Sequence, residues 1–201
     1  LPICFPNNIS SLLRQISERK NKITIFVGAT GSGKTTTMAA CMNDFSKNDG
    51  PFKNSVIISL EDPIEYIYNS TDNTKFIQKE LGIDFKDYPS GVKQSLREHP
   101  TFVNVGETRD KETINTLIEA SRTGHAVFTS FHAIDVADTI SRLYNQSCSD
   151  GNNDIMYDLI SNMNIIICQR IEANGERFVL NIQYMLFTPQ IVTFLNDMIE
   201  K

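Results

Sequence analysis

Four short apolar runs set the rhythm of this chain: Ile23 to Val27, Ser55 to Leu60, Phe102 to Val105 and Ala126 to Phe131. Each is rich in β-branched or aromatic side chains and lacks polar alternation, so each reads as a strand buried on both faces. Between them lie stretches of helical character, about Gly33 to Lys47, Ser90 to His99, Lys111 to Arg122 and Val136 to Tyr144. Ahead of the first strand, Ile9, Leu12, Leu13 and Ile16 fall at i, i+3, i+4 and i+7 and mark one face of a short helix, with Asn7, Asn8 and Ser10 as candidate caps. The rhythm changes after Gly151. A helix near Asp154 to Met163 leads into two strand-like runs, Ile165 to Glu172 and Arg177 to Phe187, separated by Asn174-Gly175. Asn-Gly between such runs predicts a hairpin, because both central residues must take positive φ. A last helix is expected over Pro189 to Ile199. Buried strands alternating with helices predict an α/β fold: a mostly parallel sheet with helices on both faces, extended by a C-terminal antiparallel hairpin. Residues 1–22 read as a linker and short helix, and 23–201 as one domain.

Composition narrows the class. A chain of 201 residues can bury one sizeable core. Nineteen Lys and Arg against 24 Asp and Glu leave a net charge of −5, which shows no clear nucleic-acid site, since such a site calls for a basic face. A local basic patch around a central pore is still compatible with that balance. Cys4, Cys41, Cys148 and Cys168 are scattered, with no CxxC pair and no His at zinc spacing, so reduced and mostly buried thiols are expected. No apolar stretch approaches the ~20 residues that span a bilayer, and no signal peptide leads the chain. The expected location is cytoplasmic, with membrane contact only through partners.

Chemistry enters with Gly28-Ala29-Thr30-Gly31-Ser32-Gly33-Lys34-Thr35, which satisfies GxxxxGK[ST] in full. Its glycines let the backbone curl until successive N–H groups face inward at phosphate oxygens. Lys34 would reach the β- and γ-phosphates of ATP, and Thr35 would set its hydroxyl on Mg²⁺. Thr36, in the helix start that follows, belongs to the same nucleotide-binding set. A buried strand before the motif and a helix after it are the context it requires.

Hydrolysis needs carboxylates as well. Phe102-Val103-Asn104-Val105-Gly106-Glu107 is an apolar strand ending in Glu107, a candidate catalytic residue and metal ligand. Gly106 stands where an ordinary Walker B strand has Asp. Ser59-Leu60-Glu61-Asp62-Pro63-Ile64-Glu65-Tyr66 places three carboxylates at the carboxyl end of another strand, where open α/β sheets bind ligands. Read alone, this cluster is equally a solvated acidic loop. Gly124 to His132 is a buried strand with His125 and His132 near its ends, and by itself decides little.

The order of these pieces says more. P-loop, Glu-Asp-Pro-Ile-Glu-Tyr, Val-Gly-Glu-Thr-Arg-Asp and Thr-Gly-His followed by His132 together resemble the secretion ATPase family, which includes type II and type IV secretion ATPases and the type IV pilus motors. The resemblance runs from about Ile23 to Phe187. The run Leu117 to Leu143 and Gln169-Arg170 look closest to the Dot/Icm-type and conjugative-plasmid branch. The resemblance implies a RecA-like P-loop NTPase domain acting as a homo-hexamer with ATP and Mg²⁺ bound between subunits, peripheral to the inner membrane through platform proteins. It implies that Gly28 to Thr36 hold nucleotide, that Glu61, Asp62 and Glu65 form an acidic box with Asp62 near the metal, and that Glu65 polarises the attacking water. Glu107 then matches the family's Walker B glutamate, whose preceding Gly is itself the pattern. His132 matches a γ-phosphate sensor, while His125 is expected to hold its strand in place.

Two departures qualify the likeness. The family often reads Leu-His-Thr-Asn where this chain has Phe131-His132-Ala133-Ile134, which weakens any role for the residues after the His. Family members also carry an N-terminal domain that supplies arginines to a neighbouring site, and only Leu1 to Lys22 precede the first strand here. If the completing arginine lies in that N-terminal part, the chain by itself is expected to bind ATP and turn it over slowly. Rival readings are a nucleotide-binding assembly subunit with little hydrolysis, a DNA-acting RecA-type motor, and a P-loop small-molecule kinase. The DNA motor would call for Arg and Lys interleaved with aromatics, and the kinase for a lid with substrate-binding arginines.

Overall fold

The computed structural model describes residues 11, 14, 19, 21–47, 50–71, 73–148, 153–174 and 177–200. The helix expected over Ile9 to Ile16 lies mostly outside them, as do Cys4 and Gly175 of the expected turn. Among the described residues seven strands are formed: β1 (Ile23–Val27), β2 (Val56–Glu61), β3 (Lys75–Glu80), β4 (Phe102–Val105), β5 (Ala126–Phe131), β6 (Met163–Asn174) and β7 (Arg177–Leu186). The helices are α1 (Lys34–Phe45), α2 (Tyr88–Leu96), α3 (Lys111–Arg122), α4 (Val136–Ser147), α5 (Asp154–Asn162) and α6 (Pro189–Ile199).

The strands join in one sheet in the order β3-β2-β4-β5-β1-β6-β7. Every neighbouring pair is parallel except β6 and β7, which form the antiparallel hairpin. Side chains on successive strand residues alternate between the two faces. Ile23, Ile25 and Val27 therefore enter one core with Ile58, Val103 and the helix residues Val92, Leu117 and Leu143. Phe26 enters the other, with Met38 and Met42 of α1 and the rings of Phe52, Phe102 and Phe128. Those rings meet edge to face at centroid distances of 4.7 to 5.1 Å, the geometry that aromatic quadrupoles favour. Both faces are covered, though unequally: α1 and the segment around Phe52 serve one side, and α2 to α5 the other.

Helix starts follow their caps. Asp87, Asp110 and Asp135 each accept a backbone N–H three residues on, at the N-termini of α2, α3 and α4. Asp87 and Pro89 start α2 at Tyr88, two residues before the position that apolar periodicity predicts. Sequence pattern missed β3. Its sequence, Lys-Phe-Ile-Gln-Lys-Glu, carries charges that suit a sheet edge and break the apolar run expected of an inner strand. Cys41 and Cys168 are buried free thiols. Among the described residues no helix is long and apolar enough to cross a membrane.

Candidate functional site

β2, β4, β5 and β1 lie side by side and parallel, so their carboxyl ends open on one edge of the sheet. That edge carries the candidate nucleotide, metal and catalytic residues: the 28–36 loop after β1, His132 after β5, Glu107 after β4, and Glu61, Asp62 and Glu65 at the end of β2. In open sheets of this kind ligands settle at such edges, where strand order turns.

The loop after β1 is curled by Gly31 and Gly33, whose φ values of 77° and 83° favour glycine. Gly33 sits at the N-cap of α1, and no side chain caps that turn. An uncapped helix start leaves N–H groups and partial positive charge available to an anion. Lys34 Nζ is folded back onto the loop, donating to the carbonyl oxygens of Gly28 at 2.8 Å and Ala29 at 3.0 Å. Burial lowers the pKa of this ammonium, and the charge of Glu107 works in the opposite direction. Ser32 Oγ is buried without a hydrogen-bond partner. An ammonium, an uncapped helix turn and an orphaned hydroxyl in one concave loop are a donor set suited to phosphate. Behind the loop, Gln169 of β6 donates from Nε2 to Ser32 O at 2.6 Å. A Cβ on Gly28 would come within 2.4 Å of the Gln169 carbonyl and 2.5 Å of Ser32 Oγ.

The acidic end of β2 is tied from elsewhere. Glu61 is buried, and its Oε1 accepts from Ser59 Oγ at 2.7 Å and Gln78 Nε2 at 2.9 Å. Ser59 Oγ in turn accepts from Asn104 Nδ2 of β4 at 2.9 Å. Asp62 and Glu65 are exposed and, with Glu61, Thr35, Asn104 and Gly106, line a narrow cleft of about 60 Å³. The Asp62–Pro63 peptide is cis. Thr36 Oγ1 meets the Tyr66 hydroxyl at 2.9 Å, joining α1 to the acidic loop. Among the described residues no three His, Cys, Asp or Glu converge as a metal cage. A hydroxyl and one or two carboxylates on a shared cleft fit Mg²⁺, which keeps waters and takes phosphate oxygens for most of its shell.

Glu107 lies in an adjoining cleft of about 320 Å³. Its Oε2 accepts from Arg109 Nε at 2.7 Å, and its Oε1 stands 3.1 Å from His132 Nε2. Thus Thr35, Glu61, Asp62 and Glu65 share one cleft, while Glu107 pairs with His132 beside it. Gly106 is explained by packing: a Cβ there would sit 2.8 Å from the Tyr88 hydroxyl and 3.1 Å from Leu60 O. Burial, reinforced by the charge of Asp62, pushes that tyrosine up to about 12. His125 Nδ1 lies 3.0 Å from Ala120 O and 3.1 Å from Thr123 Oγ1, where it fastens the end of α3 to the start of β5.

Sequence reasoning missed Gln78, Gln169 and Arg109 as supports of the site. Gln169 had a signal, a lone amide following the apolar run Ile165 to Cys168. Gln78 had none, because β3 itself was not expected.

A family model described as type II/IV secretion system protein matches residues 4–178. The type IV pilus ATPase PilU of Pseudomonas aeruginosa is 31% identical over 185 residues, covering 90% of this chain and 47% of PilU. The structure of the ATPase DotB of Legionella pneumophila superposes with a TM-score of 0.85 at 29% identity, over 97% of this chain and 52% of that one. The pilus retraction motor PilT with bound ADP also gives 0.85, at 30% identity, over 96% of this chain and 54% of that one. The chain spans about half the length of the curated relatives it matches. With a phosphate-type loop and an acidic box on one edge of a RecA-like sheet, and a family model covering most of its length, the chain belongs to the type II/IV secretion system protein family.

Proposed function

We propose that this chain is the ATP-hydrolysing motor core of a secretion system or type IV pilus. In this reading it works as a homo-hexamer on the cytoplasmic face of the inner membrane, coupled to platform proteins there. The observation that carries the reading is the convergence of the Lys34 loop, the Glu61-Asp62-Glu65 box and the Glu107–His132 pair on one sheet edge. The ADP in the PilT relative supports adenine nucleotide as the ligand.

Phosphoryl transfer asks the protein for positioning and charge stabilisation. Lys34 exchanges the Gly28 and Ala29 carbonyls for β- and γ-phosphate oxygens, joined by the loop N–H groups. Thr35, Asp62 and Glu107 would hold Mg²⁺, which would supply neutralisation of phosphate charge. Glu65 orients the attacking water and accepts its proton. His132 contacts the γ-phosphate and, through Glu107 and Arg109, passes its loss to the loop between β4 and α3. The nucleotide site belongs to the 23–201 domain, and a neighbouring subunit supplies the arginine that completes it.

ATP turnover measured over a wide protein concentration range, with Mg²⁺ and with a chelator, tests this. Turnover per chain is expected to rise with concentration and to vanish with the chelator or in Glu65→Gln. Tight ATP binding with wild-type turnover no faster than that of Glu65→Gln at any concentration would replace the motor by a nucleotide-gated assembly subunit.

A further inference from the structure

Glu65 sits on an irregular segment, and the bonds that fix this segment come from its neighbours. Ile64 N donates to Glu80 Oε2 at 3.2 Å. Tyr66 O accepts from Gln78 Nε2 at 2.6 Å, and Tyr68 N donates to Gln78 Oε1 at 2.9 Å. The Tyr68 ring stacks on Phe76 with centroids 5.1 Å apart. Phe76, Gln78 and Glu80 alternate along β3, so one face of this edge strand holds the whole acidic loop. Gln78 does the most. Its Nε2 also donates to the buried Glu61 Oε1, so a single amide makes three bonds, one to the strand-end carboxylate and two to the backbone that follows Glu65. Both Nε2 bonds are to acceptors and the Oε1 bond is from a donor, which fixes the amide's orientation.

We propose that Gln78 is a positioning residue for ATP hydrolysis, holding Glu61 and the Glu65 segment in fixed register without touching nucleotide. The proposal rests on the reading of Glu65 as the group that orients water. An error of about 1 Å in such a group costs about 10²-fold in rate. Glu61 and the backbone just after Glu65, at Tyr66 and Tyr68, each lose a bond if the amide is removed, whereas the Lys34 loop is held by other contacts.

The test is Gln78→Met, which keeps the side chain's shape and loses all three bonds, in the full chain. Turnover is expected to fall about 10- to 100-fold while the equilibrium Kd for ATP stays within about threefold. In a Glu65→Gln background the same substitution should add little, because residues acting through one group are not additive. Gln78→Glu, which keeps the acceptor for Tyr68 N and loses both donors, should show the same split between kcat and Kd if Gln78→Met folds poorly. The proposal is overturned if turnover is unchanged, if kcat and ATP affinity fall in parallel with Tm, or if the losses of Gln78→Met and Glu65→Gln simply multiply. Lys34→Ala separates the two readings. If it turns over ATP normally, the motor reading fails; if it and Glu65→Gln are inactive while Gln78→Met is normal, only the present proposal fails.

Discussion

The loop after β1 and the loop after β2 lie on the same edge of the sheet and are held in opposite ways. The first is largely self-supporting: Lys34 binds its own Gly28 and Ala29 carbonyls, Ser32 N donates to Ala29 O at 3.2 Å, and one outside amide, Gln169, braces Ser32. The second borrows its shape. Glu61 leans on Ser59, Asn104 and Gln78, and the backbone on either side of Glu65 is bonded by Gln78 and Glu80. A motif whose contacts are local can be read from eight consecutive residues. A motif whose contacts come from another strand cannot.

The comparison predicts that damage to the first loop removes nucleotide binding, whereas damage around the second spares binding and slows turnover. The largest effect is expected from Lys34→Ala, with turnover about 10³-fold lower and ATP affinity weaker by about 10- to 100-fold, read by steady-state hydrolysis and equilibrium binding. The two packed glycines come next. Gly28→Ala drives a Cβ onto a backbone carbonyl at 2.4 Å, at a φ of 153°, and is expected to cost about 3 kcal/mol in denaturant unfolding along with nucleotide binding. Gly106→Ala meets the far end of the Tyr88 side chain instead and should cost about 1 kcal/mol, most of it recovered by adding Tyr88→Phe. Failure of that recovery would place the strain on Leu60 O and weaken the account of Gly106. Tyr66→Phe should have the smallest effect. Losing the exposed 2.9 Å bond to Thr36 costs about 0.5 kcal/mol, seen as about a twofold slower turnover with unchanged ATP affinity.

The same contrast explains what was legible in the sequence. β1, β4 and β5 are interior strands with continuous apolar runs, and they occupy the residues that the pattern predicts. The phosphate-type loop and the order of the acidic motifs were legible for the same reason, being contiguous. β3 was not, since a sheet edge tolerates Lys75, Gln78, Lys79 and Glu80 where an inner strand would not. With β3 went the role of Gln78, whose partners lie up to 17 positions away in the chain. The pairing of Glu107 with His132 was also hidden, since it depends on β4 and β5 being neighbours in the sheet although a whole helix separates them in sequence.

The interposition of β5 between β1 and β4 has a metrical consequence. Strands stand about 4.8 Å apart, so each step across the sheet is a graduation, and Glu107 is set roughly two graduations from the loop after β1. His132 marks the intermediate graduation. If Lys34 grips a ligand as proposed, that ligand reaches His132 and Glu107 only by extending sideways, so the edge of the sheet would work as a ruler: one end grips, and the other reports length.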